Sequence, residues 1–280
     1  MLYFDCVRHP LRRDELAALA GGTVDVAVAE LVARGVLEAG GRHVWRRGRG
    51  ADLARREARS VEAERQWDRV RRAAGALAAV PFVRGVLLTG GLSKSSAVAD
   101  GDVDFMLLVE PGRVWTVKAA LHGLRRVLPG AARESLCTNY LLATDALALP
   151  THSMFHAVEL ATAVPLAGGD ACAALLDDNR WAARWVPGLD HSLARARATP
   201  ALAPRRWEAT IPTRLESWGA TAIDRLWEAR YAWLPAAERA RRFQREPGAA
   251  TNHLHDYSGW VNAEYARRCA DAAVAPDGEP

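Results

Sequence analysis

The chain has 280 residues, half of them apolar and a quarter charged, with a net charge of +4. Such a chain can bury a substantial core as one large domain or two to three small ones, and its balance of residue types excludes a disordered or fibrous protein. No apolar run approaches the roughly 18 residues of a membrane span, and Met1-Leu-Tyr-Phe-Asp-Cys6 has no basic region followed by an apolar stretch. No membrane partner and no secretory signal are therefore expected, and the expected location is cytoplasmic.

Cys6, Cys137, Cys172 and Cys269 are far apart and form no Cys-x-x-Cys pair, so neither a zinc site nor a disulfide framework is indicated. Nearly all the positive charge is arginine, and lysine occurs only as Lys94 and Lys118.

Residues 1–50 predict a winged helix-turn-helix. Leu11–Ala20 and Thr23–Arg34 read as two helices broken at Gly21-Gly22, with Thr23 as N-cap. Val36-Leu-Glu38, Gly40-Gly41 and His43-Val-Trp45 then read as strand, turn, strand. DNA is the partner such a unit can take, and packing or dimerisation is the alternative. Asp25 and Glu30 on the second helix would repel phosphates, while Arg42, Arg46, Arg47 and Arg49 would attract them. DNA is not the favoured partner.

Residues 51–80 form a connecting helix, with Leu53, Val61, Trp67, Val70 and Leu77 at roughly helical spacing and a stop at Pro81. Its charges read as a solvated face with i, i+4 pairs.

Residues 81–187 change character. Phe82–Gly90 and Val103–Val109 read as buried strands, followed by a helix over Val114–Val127, a strand over Ser135–Ala143 and a helix over Thr151–Ala163. Residues 188–274 read as a helical C-terminal domain, with helices over Trp207–Trp233, Pro235–Arg245 and His253–Ala273. Residues 275–280 are expected to be a disordered tail. The fold class is α/β of the α+β kind.

The stretch from Thr89 to Phe105 carries the chemistry. Gly90 and Gly91, straight after a strand, let the backbone come close to a ligand. Backbone N–H groups there suit a phosphate, and the Ser93 hydroxyl and Lys94 ammonium add donors and charge. A glycine pair alone is more often just a turn.

Asp102 and Asp104 lie two apart at the start of a strand, so both carboxylates project to one face. Side by side they repel, and a hard cation such as magnesium relieves that repulsion. In isolation Asp-x-Asp favours a solvated acidic turn.

Together, Gly90-Gly91 and, about ten residues later, Asp102-Val103-Asp104 on a second strand resemble the signature of the DNA polymerase β-like nucleotidyltransferase superfamily. The resemblance extends over most of the chain, more loosely at the helical C-terminal part. The N-terminal winged helix, Pro81-Phe-Val-Arg-Gly-Val86, Leu92-Ser-Lys94, Gly112-Arg-Val-Trp115 and Cys137-Thr-Asn-Tyr140 look like a bacterial group of stand-alone nucleotidyltransferase-domain proteins. It implies a small mixed sheet of polymerase β-like type and transfer of a nucleoside monophosphate from a nucleoside triphosphate to an acceptor hydroxyl, with release of pyrophosphate. It also implies magnesium or manganese on Asp102 and Asp104, with Gly90, Gly91, Ser93 and Lys94 on the nucleotide. The acceptor is expected to be a small molecule such as a sugar or specialised metabolite. Alternatives are tRNA or protein, or a nucleotide-sensing DNA-binding regulator.

One departure stands out. Many members carry a third carboxylate on a later strand, where this chain has Asn139. An amide cannot act as a base, so water, Glu134 or Glu159 would serve instead, or the chain binds nucleotide with little catalysis.

His152, His156 and Glu159 at i, i+4 and i+7 could offer three ligands on one helix face, but Ser153 replaces the glutamate of a zincin motif. Core or surface positions are the expected reading. His253 and His255, near Tyr257, read as capping and packing residues, and the ten tryptophans as mostly core.

Overall fold

The computed structural model describes residues 1–99, 101–127, 137–243, 245–246, 248–251 and 257–274. It is a mixed α and β protein with two sheets. No single helix among the described residues is long and apolar enough to cross a membrane.

The N-terminal unit starts with a short helix α1 (Leu2–Cys6) and a two-residue strand β1 (Leu11–Arg12). Helices α2 (Arg13–Ala20) and α3 (Asp25–Ala33) follow, with a bend of 113° between them. The hairpin β2 (Leu37–Gly40) and β3 (His43–Arg46) completes a small antiparallel sheet in the order β1-β3-β2. Gly21, at φ +75°, closes α2 in the left-handed conformation that glycine adopts without strain. Val24, Val28, Leu37 and Val44 form a separate small core. The break is one residue later than expected: α3 begins at Asp25, with Val24 rather than Thr23 at the cap.

Helix α4 (Asp52–Ala78) buries Arg56, Ser60, Ala63, Gln66, Val70, Ala74 and Leu77, a stripe at spacings of three and four. Its C-terminal half lies on the second sheet. That sheet contains β4 (Val83–Leu88), β5 (Asp104–Val109), β6 (Cys137–Ala143), β7 (Val164–Ala167), β8 (Arg245–Glu246) and β9 (Ala249–Thr251), ordered β7-β4-β5-β6-β9-β8. β4 and β5 are antiparallel with Leu88 opposite Phe105, and β5 and β6 are parallel with Asp104 opposite Cys137. The crossover between the parallel strands is α6 (Val114–Val127), as such a connection requires.

Each sheet face has its own core. Phe105, Leu107 and Val109 of β5 join Val114, Trp115 and Leu121 of α6, and Ile223 and Trp227 of α10 (Leu215–Arg230), on one side. Leu108 and Leu87 face the other, against α7 (Met154–Thr162), α8 (Gly169–Asp178), α9 (Leu189–Ala198) and Tyr3 and Phe4 of α1. Helices α11 (Ala236–Arg242) and α12 (Tyr257–Asp271) complete the chain, with a short helix α5 (Gly90–Ser93) between β4 and β5.

Three differences from the expected elements have clear causes. The helix expected over Trp207–Trp233 is a 3-10 turn (Arg206–Thr210) followed by α10, because Pro212 lies between them. The region expected to be purely helical contributes β8 and β9, and β9 extends the sheet beside β6. Helix α7 starts at Met154 rather than Thr151, because Ser153 takes the N-cap and accepts from the His156 N–H. Glu134, His253, His255 and the 275–280 tail lie outside the described residues.

The termini are tied together by a buried charge. The Asp5 carboxylate accepts from Arg46 Nη1 and Arg49 Nε, each at 3.1 Å, and from Arg268 of α12. Arg56, also buried, donates to the carbonyls of Pro10 and Ser95 and to Glu15, joining the N-terminal unit to α4 and to the segment after α5.

Candidate functional site

One cleft of about 1220 Å3 brings Thr89, Gly90, Gly91, Lys94, Ser96, Asp102, Asp104 and Glu159 together. It opens where β4 gives way to α5 and where β5 begins.

Gly90 sits at φ +68°, and a Cβ there would collide with the Asp104 carboxylate. A Cβ on Gly91 would press on the Ser96 carbonyl. Both positions therefore require glycine, one for its conformation and for the acid lying against it, the other for close backbone approach. The Thr89 N–H donates to the Asp104 carbonyl at 2.9 Å, which fixes the loop to the start of β5.

Burial alternates along this strand. Val103, Phe105 and Leu107 are fully buried, while Asp102, Asp104 and Met106 are more open. The strand period of two thus puts both carboxylates on the side away from the core around Val103. Among the described residues no group of three or more His, Cys, Asp or Glu side chains could hold a metal. Two carboxylates with waters and substrate phosphates are the ordinary requirement of magnesium, and Asp104 at the first position of β5, with Asp102 two residues before it, are the side chains that would hold such an ion.

The loop's donors already hold an anion. Lys94 Nζ donates to Glu159 Oε1 at 2.8 Å and to the Gly90 carbonyl at 3.0 Å, and the Gly90 N–H donates to Glu159 Oε2 at 3.3 Å. Ser93 Oγ also donates to the Gly90 carbonyl, at 2.9 Å. Glu159 reaches this place from α7, whose cap is reinforced by Asn262 of α12 donating to Ser153 Oγ at 3.1 Å.

The three-ligand histidine face does not form. His152 lies before the helix and stacks on Trp181 at 4.2 Å, while His156 Nδ1 is 2.9 Å from Ser153 Oγ. His156 does line the cleft beside Glu159. The Asn139 backbone lies within β6, where the third carboxylate of the resembling family is expected, and its side chain lies outside the described atoms. Tyr140, next along, lines the cleft.

Sequence reasoning missed several lining residues. Tyr3, Phe4 and His9 belong to the N-terminal unit, Arg59 to α4, and His122, Arg125, Arg126 and Arg230 to α6 and α10. The Arg125-Arg126 pair is visible in the sequence, but only the fold turns it toward the same space as Gly90. Arg46 and Arg49, two of the arginines expected to attract phosphates, are occupied by Asp5.

His9 is buried, and its Nε2 has no hydrogen-bond partner among the described residues. Burial, and then the nearby charges of Arg56, Lys94, Arg59 and His43, push its pKa down to about 3. A neutral His9 in the folded protein against an ordinary histidine in the unfolded chain makes stability complete above about pH 6.5 and progressively lost as pH falls toward 3. The slope from this group reaches about 1.4 kcal/mol per pH unit. Urea midpoints measured from pH 7 to 4.5 should fall less steeply in His9→Gln than in the wild type, and equal slopes would remove His9 as the cause.

Comparison with protein-family models, with curated proteins and with solved structures returns no match to this chain. The functional reading therefore stands on the chemistry of the cleft.

Proposed function

We propose that the protein is a magnesium- or manganese-dependent nucleotidyltransferase that moves a nucleoside monophosphate from a nucleoside triphosphate to a hydroxyl of a small-molecule acceptor. The observation that carries this reading is the Asp104 carboxylate lying against Gly90, at a turn only glycine can form, within the cleft that Lys94 and Asp102 also line. A cation-binding pair and an anion-binding loop share one ligand-sized space.

In this reading the sheet is of polymerase β-like type, and the N-terminal unit is a winged helix that serves as a wall of the cleft rather than a DNA reader. The N–H groups of Gly90 and Gly91, the Ser93 hydroxyl and Lys94 hold the triphosphate, and Asp102 and Asp104 hold the ion. An ion bound there would supply charge neutralisation for the phosphates and for the leaving pyrophosphate. The acceptor oxygen bonds to the α-phosphorus as the bond from that phosphorus to the bridging oxygen breaks, and pyrophosphate leaves with the electron pair. Glu159 is the described carboxylate of the cleft not assigned to the ion, and it receives the hydroxyl proton.

For a phosphate to use Gly90 and Lys94, Glu159 must leave them. Glu159→Gln removes the competing charge while keeping the shape. We expect it to bind the magnesium–triphosphate complex about 5- to 10-fold more tightly, a gain of about 1–1.4 kcal/mol, while transfer slows about 100-fold. Changes in opposite directions identify the dual role, and a variant that binds no more tightly would refute the displacement.

Calorimetry with each of the four ribonucleoside triphosphates, with and without magnesium, tests the central reading. Magnesium-dependent binding of at least one is expected. Its absence for all four would overturn the proposal.

A further inference from the structure

The cleft exceeds the roughly 300–1,000 Å3 of an ordinary ligand pocket, and both acidic and basic side chains line it. Of its three lining carboxylates, Asp104 and Glu159 lie against Gly90, and Asp102 precedes Asp104 by two residues. His122, Arg125 and Arg126 lie at i, i+3 and i+4 on α6, one helix face, and Arg230 lines the same cleft from the packed neighbour α10. Since α6 joins two parallel strands, its C-terminal end returns to the side of the sheet where β5 begins. That end therefore lies near the Asp pair, while its apolar face packs into the opposite core.

The buried or half-buried arginines Arg46, Arg49, Arg56, Arg84 and Arg268 each pair with a carboxylate. Among the described residues, no carboxylate pairs with Arg125, Arg126 or Arg230, and the acids of α10 do not line the cleft. Burial, and then the positive charges of Arg126, Arg125, Arg230 and Lys118, lower the His122 pKa, and its Nε2 has no hydrogen-bond partner among the described residues. Cations at a helix C-terminus complement its dipole one by one. That accounts for each arginine singly, not for the convergence of two helix ends on one ligand-sized space.

We propose that His122, Arg125, Arg126 and Arg230 form a second anion site, and that the acceptor is a small molecule bearing a phosphate group held there. The acceptor assignment rests on the nucleotidyltransferase reading, whereas the anion site does not. Guanidinium groups present paired N–H donors that match phosphate oxygens. The low-dielectric walls of a cleft strengthen the attraction relative to a flat surface. An uncharged acceptor would leave the three guanidinium groups without a counter-charge beside the bound nucleotide.

The test titrates inorganic phosphate into the full chain by calorimetry, alone and after saturation with magnesium and a non-hydrolysable triphosphate. Phosphate binding should persist after saturation. It should weaken at least tenfold in Arg125→Gln with Arg126→Gln and again in Arg230→Gln, with unchanged circular dichroism, and survive in Asp102→Asn with Asp104→Asn. Loss of phosphate binding on nucleotide saturation would mean that the cluster holds the triphosphate itself, and binding unaffected by either arginine variant would place the anion elsewhere. Both results overturn the proposal. Failure of the nucleotide to bind with magnesium would instead defeat the transferase reading, leaving arginine-dependent phosphate binding to be judged in the free protein.

Discussion

Replacing both Asp102 and Asp104 by asparagine is expected to abolish magnesium-dependent triphosphate binding and to lower transfer by at least 10²- to 10³-fold, the scale on which removing one fixed electrostatic group acts. The physical basis is local. Asparagine keeps the size of aspartate and offers a carbonyl oxygen, but it removes two negative charges from the place where a divalent cation would be held. Asp102 is exposed and lines the cleft, and Val103, Phe105 and Leu107 are buried on the opposite side. The fold should therefore survive, and circular dichroism should be unchanged. Equilibrium binding with and without magnesium, measured beside label transfer from an α-labelled triphosphate, separates the outcomes. Unchanged affinity in a folded variant would remove the two acids from the site.

The second large effect concerns stability. Asp5 is buried and accepts from three guanidinium groups, those of Arg46, Arg49 and Arg268. Arg46 and Arg49 are one-third exposed, so water screens part of their loss, but Arg268 is nearly buried. Asp5→Ala would strand that charge with Glu264 as its remaining ion-pair partner among the described residues, at 2.8 Å. Breaking a buried pair from one side costs about 3–5 kcal/mol. The urea midpoint should drop accordingly, and limited proteolysis should cut first near the N-terminus as α1 loses its hold on α12. Because Tyr3 and Phe4 line the cleft, ligand affinity should fall with stability. A variant within about 1 kcal/mol of wild type would show that the carboxylate is replaceable.

Much of the frame could be read from residue order, where a signal was local. Helix α6 has the expected bounds, Val114–Val127, since Gly112 supplies a turn at φ +67° just before an amphipathic run. The end of β4 at Leu88 and the course of β5 follow from short apolar runs bounded by Gly90 and Asp102. The elements that escaped depend on distant partners. Strand β7 contains Pro165, which argues against a central strand, and it survives as the sheet's edge beside β4. Strand β9 is Ala249-Ala250-Thr251, a composition that does not announce a strand, and its conformation is set by pairing with β6.

The candidate site divides in the same way. Gly90, Gly91 and Asp104 are adjacent in space because β4 and β5 pair in a register that strand pattern could anticipate. Glu159 is 65 positions beyond Lys94, and nothing local predicts that it would reach the loop. The sequence raised it as a candidate proton acceptor and as one of three possible ligands on its helix face. Arg230 comes to α6 through the packing of Trp115 against Trp227, 5.9 Å between ring centres, a tertiary event with no sequence period.

The carboxylate resting on Lys94 bears on how the protein responds to its surroundings. A vacant glycine turn carrying a bare ammonium would gather whatever anion is abundant, chloride included. Here the protein supplies its own occupant, so loading becomes an exchange of one negative group for another and the tally of ion contacts at that turn scarcely changes. Capture by this turn should consequently respond little to ionic strength. The turn is kept for visitors able to offer more than a single charge, which a polyphosphate chain does and a simple salt does not.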